Sequence, residues 1–336
     1  MNNGKTSSAD DSARLDRVAL IVVNFNGKAS LMKCLESIRR QTLAPCRVIV
    51  VDNASSDGSA MSAAQAYPDF EFVMLRENTG FAAANNLAAR MATDCDWLAL
   101  LNPDAYAAPD WLEMLCCAAR DQPEVGAFGS RMLMADDPSR IDGTGDVYHA
   151  SGLAWRNDHG ASVASSANSP VEIFSPCAAA ALYRRASFMS ATGFDEDFFC
   201  YMEDVDLGFR LRLLGLRCLY IPQAIVRHEG SATTGGKHSD FSVYHGHRNL
   251  VWVFIKNMPA PLLWMLLPLH LLLNLVTILW FAARGQGVLI LRAKRDAIKG
   301  LPRVWLKRQK VQRACQISVG DVWRLMDKRL GRRRKC

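Results

Sequence analysis

The stretch VALIVVNFNGKASLMKCLESI, residues 18–38, opens with six apolar residues, breaks at Asn24-Phe25-Asn26-Gly27, and then places Leu31, Cys34, Leu35 and Ile38 at helical spacing. An unbroken apolar run followed by a 3.6-residue period predicts a buried strand and then an amphipathic helix. The unit recurs downstream: Val48–Val51 with Ser59–Ala66, Phe70–Leu75 with Phe81–Met91, Trp97–Leu101 with Asp110–Ala119, and a further strand at Val125–Phe128. Strands alternating with helices specify an α/β fold whose mostly parallel sheet is flanked by helices on both faces.

Ligands of such sheets bind outside the carboxyl ends of the strands. Three polar clusters fall there: Asn24-Phe25-Asn26-Gly27, the run from Asp52-Asn53 to Asp57-Gly58, and Asn102-Pro103-Asp104. These residue types also make turns and helix caps, but their recurrence on successive strand ends points to one shared crevice. Asn24, Asn26, Asp52, Asn53 and Asn102 are therefore candidate ligands of a nucleotide donor. Asp52 suits the imide N–H of a uracil or thymine ring, since Asp57 or Ser59 can cap the following helix in its place. Asn78-Thr79-Gly80-Phe81 opens another helix, whose free backbone N–H groups suit a sugar or phosphate oxygen, so Asn78 and Gly80 join the donor set.

Two acid clusters about a hundred residues apart carry the chemistry. Pro103 removes a backbone donor and turns the chain out of its strand, presenting Asp104 at the tip. A carboxylate there can hold a divalent cation, Mg2+ or Mn2+, against a donor diphosphate. His228, at the end of a later predicted strand (Ala224–Val226), can complete that cation site. The second cluster, Glu203-Asp204-Val205-Asp206, opens a helix with Leu207, Leu211 and Leu214 on one face. Crowded like charges raise the proton affinity of one member, as a general base requires. Residues i and i+2 point apart on a helix, so Asp204 is expected as the catalytic base and Glu203 as a positioning group or acceptor ligand. The small-residue run 229–237 suits a lid, and Arg248 suits the diphosphate of the donor or of a lipid.

Further strands are expected at Cys177–Tyr183 and Leu216–Ile221, and a helix at Arg185–Ser190. Residues 136–170, poor in apolar periodicity, read as an irregular excursion whose place on the acceptor side stays open. The first strand–helix junction, NFNGKAS, has one glycine where a dinucleotide-binding fingerprint needs three, and no Walker loop occurs. Hydride transfer and P-loop phosphoryl transfer are thereby disfavoured. Ten cysteines without a CxxC pair indicate neither a disulfide framework nor a structural zinc.

The net charge of +7 divides unevenly. From Arg284 onward there are 17 Lys and Arg against 3 Asp, while the preceding residues hold 23 basic and 30 acidic side chains, so the tail carries +14 and the rest −7. The tail follows Leu262–Ala283, 22 mostly apolar residues, which favours a membrane surface over nucleic acid as its partner. A single crossing would put the basic tail outside, so a re-entrant or interfacial segment is expected, with Asp321–Leu330 as a short amphipathic helix. No apolar stretch occurs in the first 17 residues, which argues against a secretory signal. The expected organisation is a disordered 1–16, a catalytic domain at 17–240 and a membrane-associating helical region with a basic tail at 241–336. Its expected location is the cytoplasmic face of the plasma membrane, peripheral or monotopic.

The segments VVNFNG, VVDNASSDGS, ENTGFAAANN, LLNPDA, GFDEDFFCYMEDVDLGFRLR, HEGSATT and YHGHRNLVWVFIKNMP together resemble the family 2 glycosyltransferases of GT-A fold, in particular the rhamnosyltransferase-like branch. The resemblance covers roughly residues 17–260. It implies inverting transfer of a sugar, L-rhamnose or similar, from a nucleoside-diphosphate sugar to a hydroxyl of a lipid-linked or cell-envelope glycan, with a polyprenyl diphosphate as the lipid. It further implies Asp52 at the base, Asp104 at the metal, Asp204 as catalytic base and His228 near the metal. The sequence departs from many relatives in having Asn102 in place of an acid, and alanines for glycines in NTGFAAANNLAA. A nucleotidyltransferase and a noncatalytic adaptor with a sugar-nucleotide-binding fold are the competing readings.

Overall fold

The computed structural model describes residues 17–230 and 239–329. The expected disordered segment 1–16, most of the expected lid and the end of the basic tail lie outside the described residues.

The apolar runs at 18–23, 48–51 and 97–101 form strands because their side chains are buried on both faces, and the run at 70–75 forms one that is only half-buried. These are β1 (Val18–Asn24), β2 (Arg47–Asp52), β3 (Glu71–Met74) and β4 (Trp97–Leu101), followed by β5 (Ala105–Ala107) and β6 (Val125–Met134). Short strands β7 (Ile141–Gly143), β8 (Asp146–Tyr148), β9 (Ala154–Arg156) and β10 (Val171–Glu172) precede β11 (Ala180–Arg184) and β12 (Arg217–His228). The main sheet runs β10-β12-β6-β11-β4-β1-β2-β3, with β5 beside β12 and β7 beside β6, while β8 and β9 form a separate pair. Pairing is parallel through β3, β2, β1 and β4, and again between β6 and β12; β11 lies antiparallel between β4 and β6.

The helices are α1 (Lys28–Arg39), α2 (Ser59–Ala66), α3 (Gly80–Met91), α4 (Trp111–Asp121), α5 (Arg185–Ser190) and α6 (Glu203–Leu213). A C-terminal set follows: α7 (Asp240–Asn257), α8 (Ala260–Ala283), α9 (Gly287–Arg313) and α10 (Val319–Leu325). The period-2 alternation of β1 divides the core in two. Val18, Leu20 and Val22 meet α1 and α4, while Ala19, Ile21 and Val23 meet α3, α5 and α6. A third apolar cluster joins β8, α6, α7, α8, α9 and α10 through Tyr148, Phe209, Trp252, Leu263 and Val304. The C-terminal helices thus share a core with the helix that carries the acid cluster.

Three sequence expectations change. The excursion at 136–170 contains β7, β8 and β9. The strands expected at Leu216–Ile221 and Ala224–Val226 are one strand, β12, whose register on β6 shifts between Ile221 and Ile225. The terminal helix expected over Asp321–Leu330 ends at Leu325, because Met326 turns extended and Asp327 pairs with His149.

Candidate active site

The β1–β2 register sets Asn24 directly beside Asp52 at the carboxyl edge of the sheet. Asn24 Nδ2 donates to Asp52 Oδ1 at 2.8 Å, Ser55 Oγ donates to the same oxygen at 2.6 Å, and the Ser55 N–H donates to Oδ2 at 3.0 Å. Asn26, at φ 50, closes the cluster by donating its N–H to Ser55 Oγ at 2.8 Å. Asp52 is thereby held rigidly, with lone pairs of Oδ2 remaining for a further donor. Asn53 reaches α3: its Oδ1 accepts from the Thr79 N–H at 2.8 Å and its Nδ2 donates to Gly80 O at 3.1 Å. Asn78 Oδ1 accepts from the Gly80 N–H at 2.9 Å.

Gly80 leads from this polar cluster to the acid turn. Its φ is +85°, and a Cβ there would lie 2.6 Å from both the ring and the carbonyl oxygen of Phe199. Phe199, Tyr201 and Met202 all have positive φ without being glycines, a concentration of backbone strain of the kind that persists where the surroundings over-determine it. Here α7 supplies the constraint. Asn249 Nδ2 donates to the carbonyls of Phe198, Cys200 and Tyr201 at 2.8–3.0 Å. Arg248 donates to the carbonyls of Asp197 and Phe198 and lies over the Trp252 ring at 4.4 Å. Arg248 therefore stands behind the acid turn with its guanidinium engaged there.

The turn delivers three carboxylates to the start of α6, and their environments differ. Asp206 is fully buried and bound by Arg210, Lys256 and Asn257, a structural network. Glu203 is buried, and its Oε2 has no hydrogen-bond partner among the described residues. Burial, and then the Asp204 charge, push its proton affinity well above the usual carboxylate range. Asp204 accepts from the N–H groups of Val205 at 2.8 Å and Ala178 at 3.3 Å. Burial raises its pKa, opposed by those N–H groups and by the charge of Arg156.

At the other carboxyl edge, β12 ends at His228 and pairs there with Ala105 of β5, which brings the imidazole to the Asn102-Pro103-Asp104 turn. His228 Nε2 stands 3.4 Å from Asp104 Oδ1, long for a hydrogen bond, and is buried without a hydrogen-bond partner among the described residues. Nδ1 lies 2.8 Å from Asp142 Oδ2. Burial would lower the His228 pKa, but the two facing carboxylates overcome it and raise it. A buried, orphaned imidazole nitrogen facing a carboxylate fits a divalent cation. No group of three or more His, Cys, Asp or Glu is arranged to hold a metal ion among the described residues, so protein ligands alone would leave such an ion incompletely coordinated, with positions for diphosphate oxygens.

Residues that the sequence did not single out join the two acid sites. Asp142 on β7 also binds Arg156 of β9, and His159 Nδ1 lies 2.8 Å from the Asp142 carbonyl. Arg156 stands directly across the β8–β9 pair from Asp146. Burial, and then the Asp204 charge, raise Asp146 well above the carboxylate range. A chain of groups thus runs Asp104, His228, Asp142, Arg156, and from there to the Asp146 and Asp204 charges. A second connection runs through backbone, since Asn102 N–H donates to Ala179 O at 2.9 Å and the adjacent Ala178 N–H holds Asp204. Nothing periodic marks residues 141–156 in the sequence; the one available signal was the unusual density of Asp among glycines in IDGTGD.

The family model described as Glycosyl transferase family 2 matches residues 19–190. An N-acetylglucosaminyl-diphospho-decaprenol L-rhamnosyltransferase of Mycobacterium tuberculosis is 30% identical over 281 residues, 75% of this chain and 89% of the relative. An O-antigen chain rhamnosyltransferase of Salmonella typhimurium is 24% identical over 236 residues, 68% of this chain and 72% of that one. Among solved structures, a mannosyltransferase from Pyrobaculum calidifontis in complex with GDP-Man and Mn2+ superposes with a TM-score of 0.51 at 20% identity, covering 92% of this chain and 87% of its own. The strand–helix order, the polar strand tips and these matches agree: the chain is a glycosyltransferase of the GT-A fold and belongs to glycosyl transferase family 2.

Proposed function

We propose that the protein transfers a sugar, L-rhamnose in the first instance, from a nucleoside-diphosphate donor to a hydroxyl of a lipid-linked glycan at a membrane surface, with inversion at the anomeric carbon. The observation that carries this is the connection of the Asp104–His228 pair to the Asp204 carboxylate through Asp142 and Arg156 and through Asn102–Ala179. Two rhamnosyltransferases among the relatives support the sugar, and the decaprenol-linked substrate in the name of one supports the acceptor class. The same reading puts the reaction at the cytoplasmic side of the membrane, because nucleotide sugars are available there.

In this mechanism Asp52, pinned by Asn24 and Ser55, accepts from the base, and the Asn53–Asn78–Gly80 group lies along the donor ribose and phosphates. Asp104 and His228 would hold a divalent cation, which supplies neutralisation of the charge that grows on the departing diphosphate. Asp204 takes the proton of the acceptor hydroxyl as that oxygen bonds to the anomeric carbon. The bond to the diphosphate breaks with its electron pair leaving on the phosphate oxygen. One carboxylate suffices for inversion, as for the base of an inverting hydrolase, and the raised proton affinity of Asp204 suits it to this role. Glu203 and Asp146 keep the surroundings acidic and poised, Arg156 balances them, and Arg248 with Asn249 holds the strained turn that presents them.

Release of nucleoside diphosphate, measured with a panel of dTDP-, UDP- and GDP-sugars and with Mg2+, Mn2+ or EDTA, tests the proposal. Turnover of dTDP-L-rhamnose that requires acceptor and is abolished by EDTA is expected. Release of pyrophosphate in place of a nucleoside diphosphate would make the protein a nucleotidyltransferase.

A further inference from the structure

α8 has the composition of a membrane span and the tethering of a surface helix. It is 24 residues long, about 36 Å at 1.5 Å per residue, and so is long enough to cross hydrocarbon. Its two ends, however, stay on one side of the molecule. Its midpoint is fastened to α7 by Phe254 stacked on His270 at 4.0 Å, and its C-terminal end by Phe281 against His247 at 4.8 Å. Residues 284–286 then lead straight into α9. α9 lies along α7: Trp252 Nε1 donates to Ala297 O at 2.9 Å, Lys294 Nζ to His247 O at 2.9 Å, and Tyr244 Oη to Asp296 at 2.9 Å. Nine Lys and Arg fall within α9, which forbids its crossing back.

The outer surface of this pair is apolar. Trp264, Leu271, Leu272, Leu275, Leu279 and Trp280 of α8 are each 41–62% exposed. On α9 the exposed apolar residues are Val288, Leu291, Ile298, Trp305 and Leu306. At 100° per residue these five fall within an arc of roughly 100°; the exposed Arg295 and Arg313 lie just inside one edge of that arc, and Arg292, Lys299 and Lys310 continue beyond the same edge. An apolar stripe bordered by cations, with tryptophans toward both ends of α8, matches a headgroup–acyl boundary. The opposite side of α8 meets the catalytic part. His270 Nδ1 lies 2.8 Å from Ser151 O, and a Cβ on Gly152 would lie 2.7 Å from the same ring nitrogen. That contact is the tip of the β8–β9 pair, and Arg156 stands only four residues beyond Gly152, about 13 Å of strand.

We infer that α8 and the outer stripe of α9 form a monotopic face that docks in the plane of an anionic phospholipid surface, with α8 among the acyl chains, the basic edge at the headgroup phosphates, and the β8–β9 tip seated on the buried helix. The sugar chain of a lipid-linked acceptor would then meet the acid turn without leaving the membrane. This deepens the membrane part of the proposed function and rests on it, while vesicle binding is blind to sugar transfer, so failure of one is distinguishable from failure of the other.

The test adds the full-length protein, with a C-terminal epitope, to preformed sealed vesicles and floats them. Flotation with vesicles containing phosphatidylglycerol is expected, weakening about tenfold or more on pure phosphatidylcholine or in high salt. The combined exposed-site variant Leu271→Asp, Leu275→Asp, Leu279→Asp should stay with free protein while keeping its melting temperature. Protease added outside should remove the epitope. A protected epitope would mean a span and overturn the inference. So would wild-type protein that floats with no vesicle and forms a dimer that the triple variant breaks, since the face would then be an interface between copies.

Discussion

Asp142 Oδ2 lies 2.8 Å from His228 Nδ1 while the same carboxylate binds Arg156, so one side chain orients the imidazole that faces Asp104 and fixes the arginine beside the acid turn. Carboxylates that hold a metal-ligating imidazole by its second nitrogen typically contribute 10–100-fold to metal affinity. Asp142→Ala should therefore weaken Mn2+ binding to the nucleotide-loaded protein by about that factor, with Asp142→Asn intermediate. Free Mn2+ read by electron paramagnetic resonance checks this, and unchanged affinity in the alanine variant would remove Asp142 from the site.

Arg156 contributes to the ionisation of Asp204, behind burial and the N–H groups of Ala178 and Val205. Burial pushes the Asp204 pKa up and the arginine's positive charge opposes it, whereas Asp146 and Glu203 stand near as further carboxyls. As the proposed base Asp204 works deprotonated, so the rate should fall on the acid side at a pH raised above that of an ordinary aspartate. Arg156→Met should move that limb upward, because the positive charge that opposes protonation is removed. A pH–rate profile in which the limb moves down, or not at all, would contradict the pairing.

Glu203 stores a stability cost. Burial, and then Asp204, raise its pKa in the folded protein well above the ordinary 4.5, so the folded state binds this proton more tightly than the unfolded one. Stability therefore falls as pH rises from about 4.5 through the folded pKa. Glu203→Gln should stabilise the protein at pH 8 by about 1 kcal/mol or more and leave it unchanged near pH 4. Urea unfolding at the two pH values gives the difference; equal effects at both would show that Glu203 is not titrating abnormally.

Gly80 transmits the donor side to the acid turn. Because a Cβ there would meet the Phe199 backbone oxygen at 2.6 Å, Gly80→Ala must displace the strained segment that presents Asp204. A control is Gly160→Ala, which shares the positive φ but has nothing within 4 Å. Both should lose about 1–3 kcal/mol of stability from the backbone conformation, and only Gly80→Ala should also lose sugar transfer at temperatures where it stays folded. Equal activity in the two variants would show that the Gly80–Phe199 contact does not matter to the site.

The sheet was legible in the sequence because β1, β2 and β4 are continuous apolar runs buried on both faces, and the candidate carboxylates were legible because Asp52 directly follows such a run and Asp104 closes the Asn102-Pro103-Asp104 turn after another. β7, β8 and β9 were not, since strands of three residues are too short to leave a period to read. Asp142, Asp146 and Arg156 were missed with them. Pro222 and Gln223 made β12 look like two strands; the structure absorbs them in an irregularity of register. The apolar character of α8 was evident, but its fastening to α7 through His270 and Phe281 depends on ring contacts that no linear pattern encodes.

In the proposed mechanism Asp204 deprotonates the acceptor beside the Asp104–His228 pair. Its most direct test measures, in one preparation of Asp204→Asn, both sugar transfer and the affinity for nucleoside diphosphate with Mn2+. Transfer should drop by roughly 10²–10⁴-fold, the usual contribution of a general base, with nucleotide and Mn2+ affinity and melting temperature retained. Transfer close to that of the wild type would contradict it.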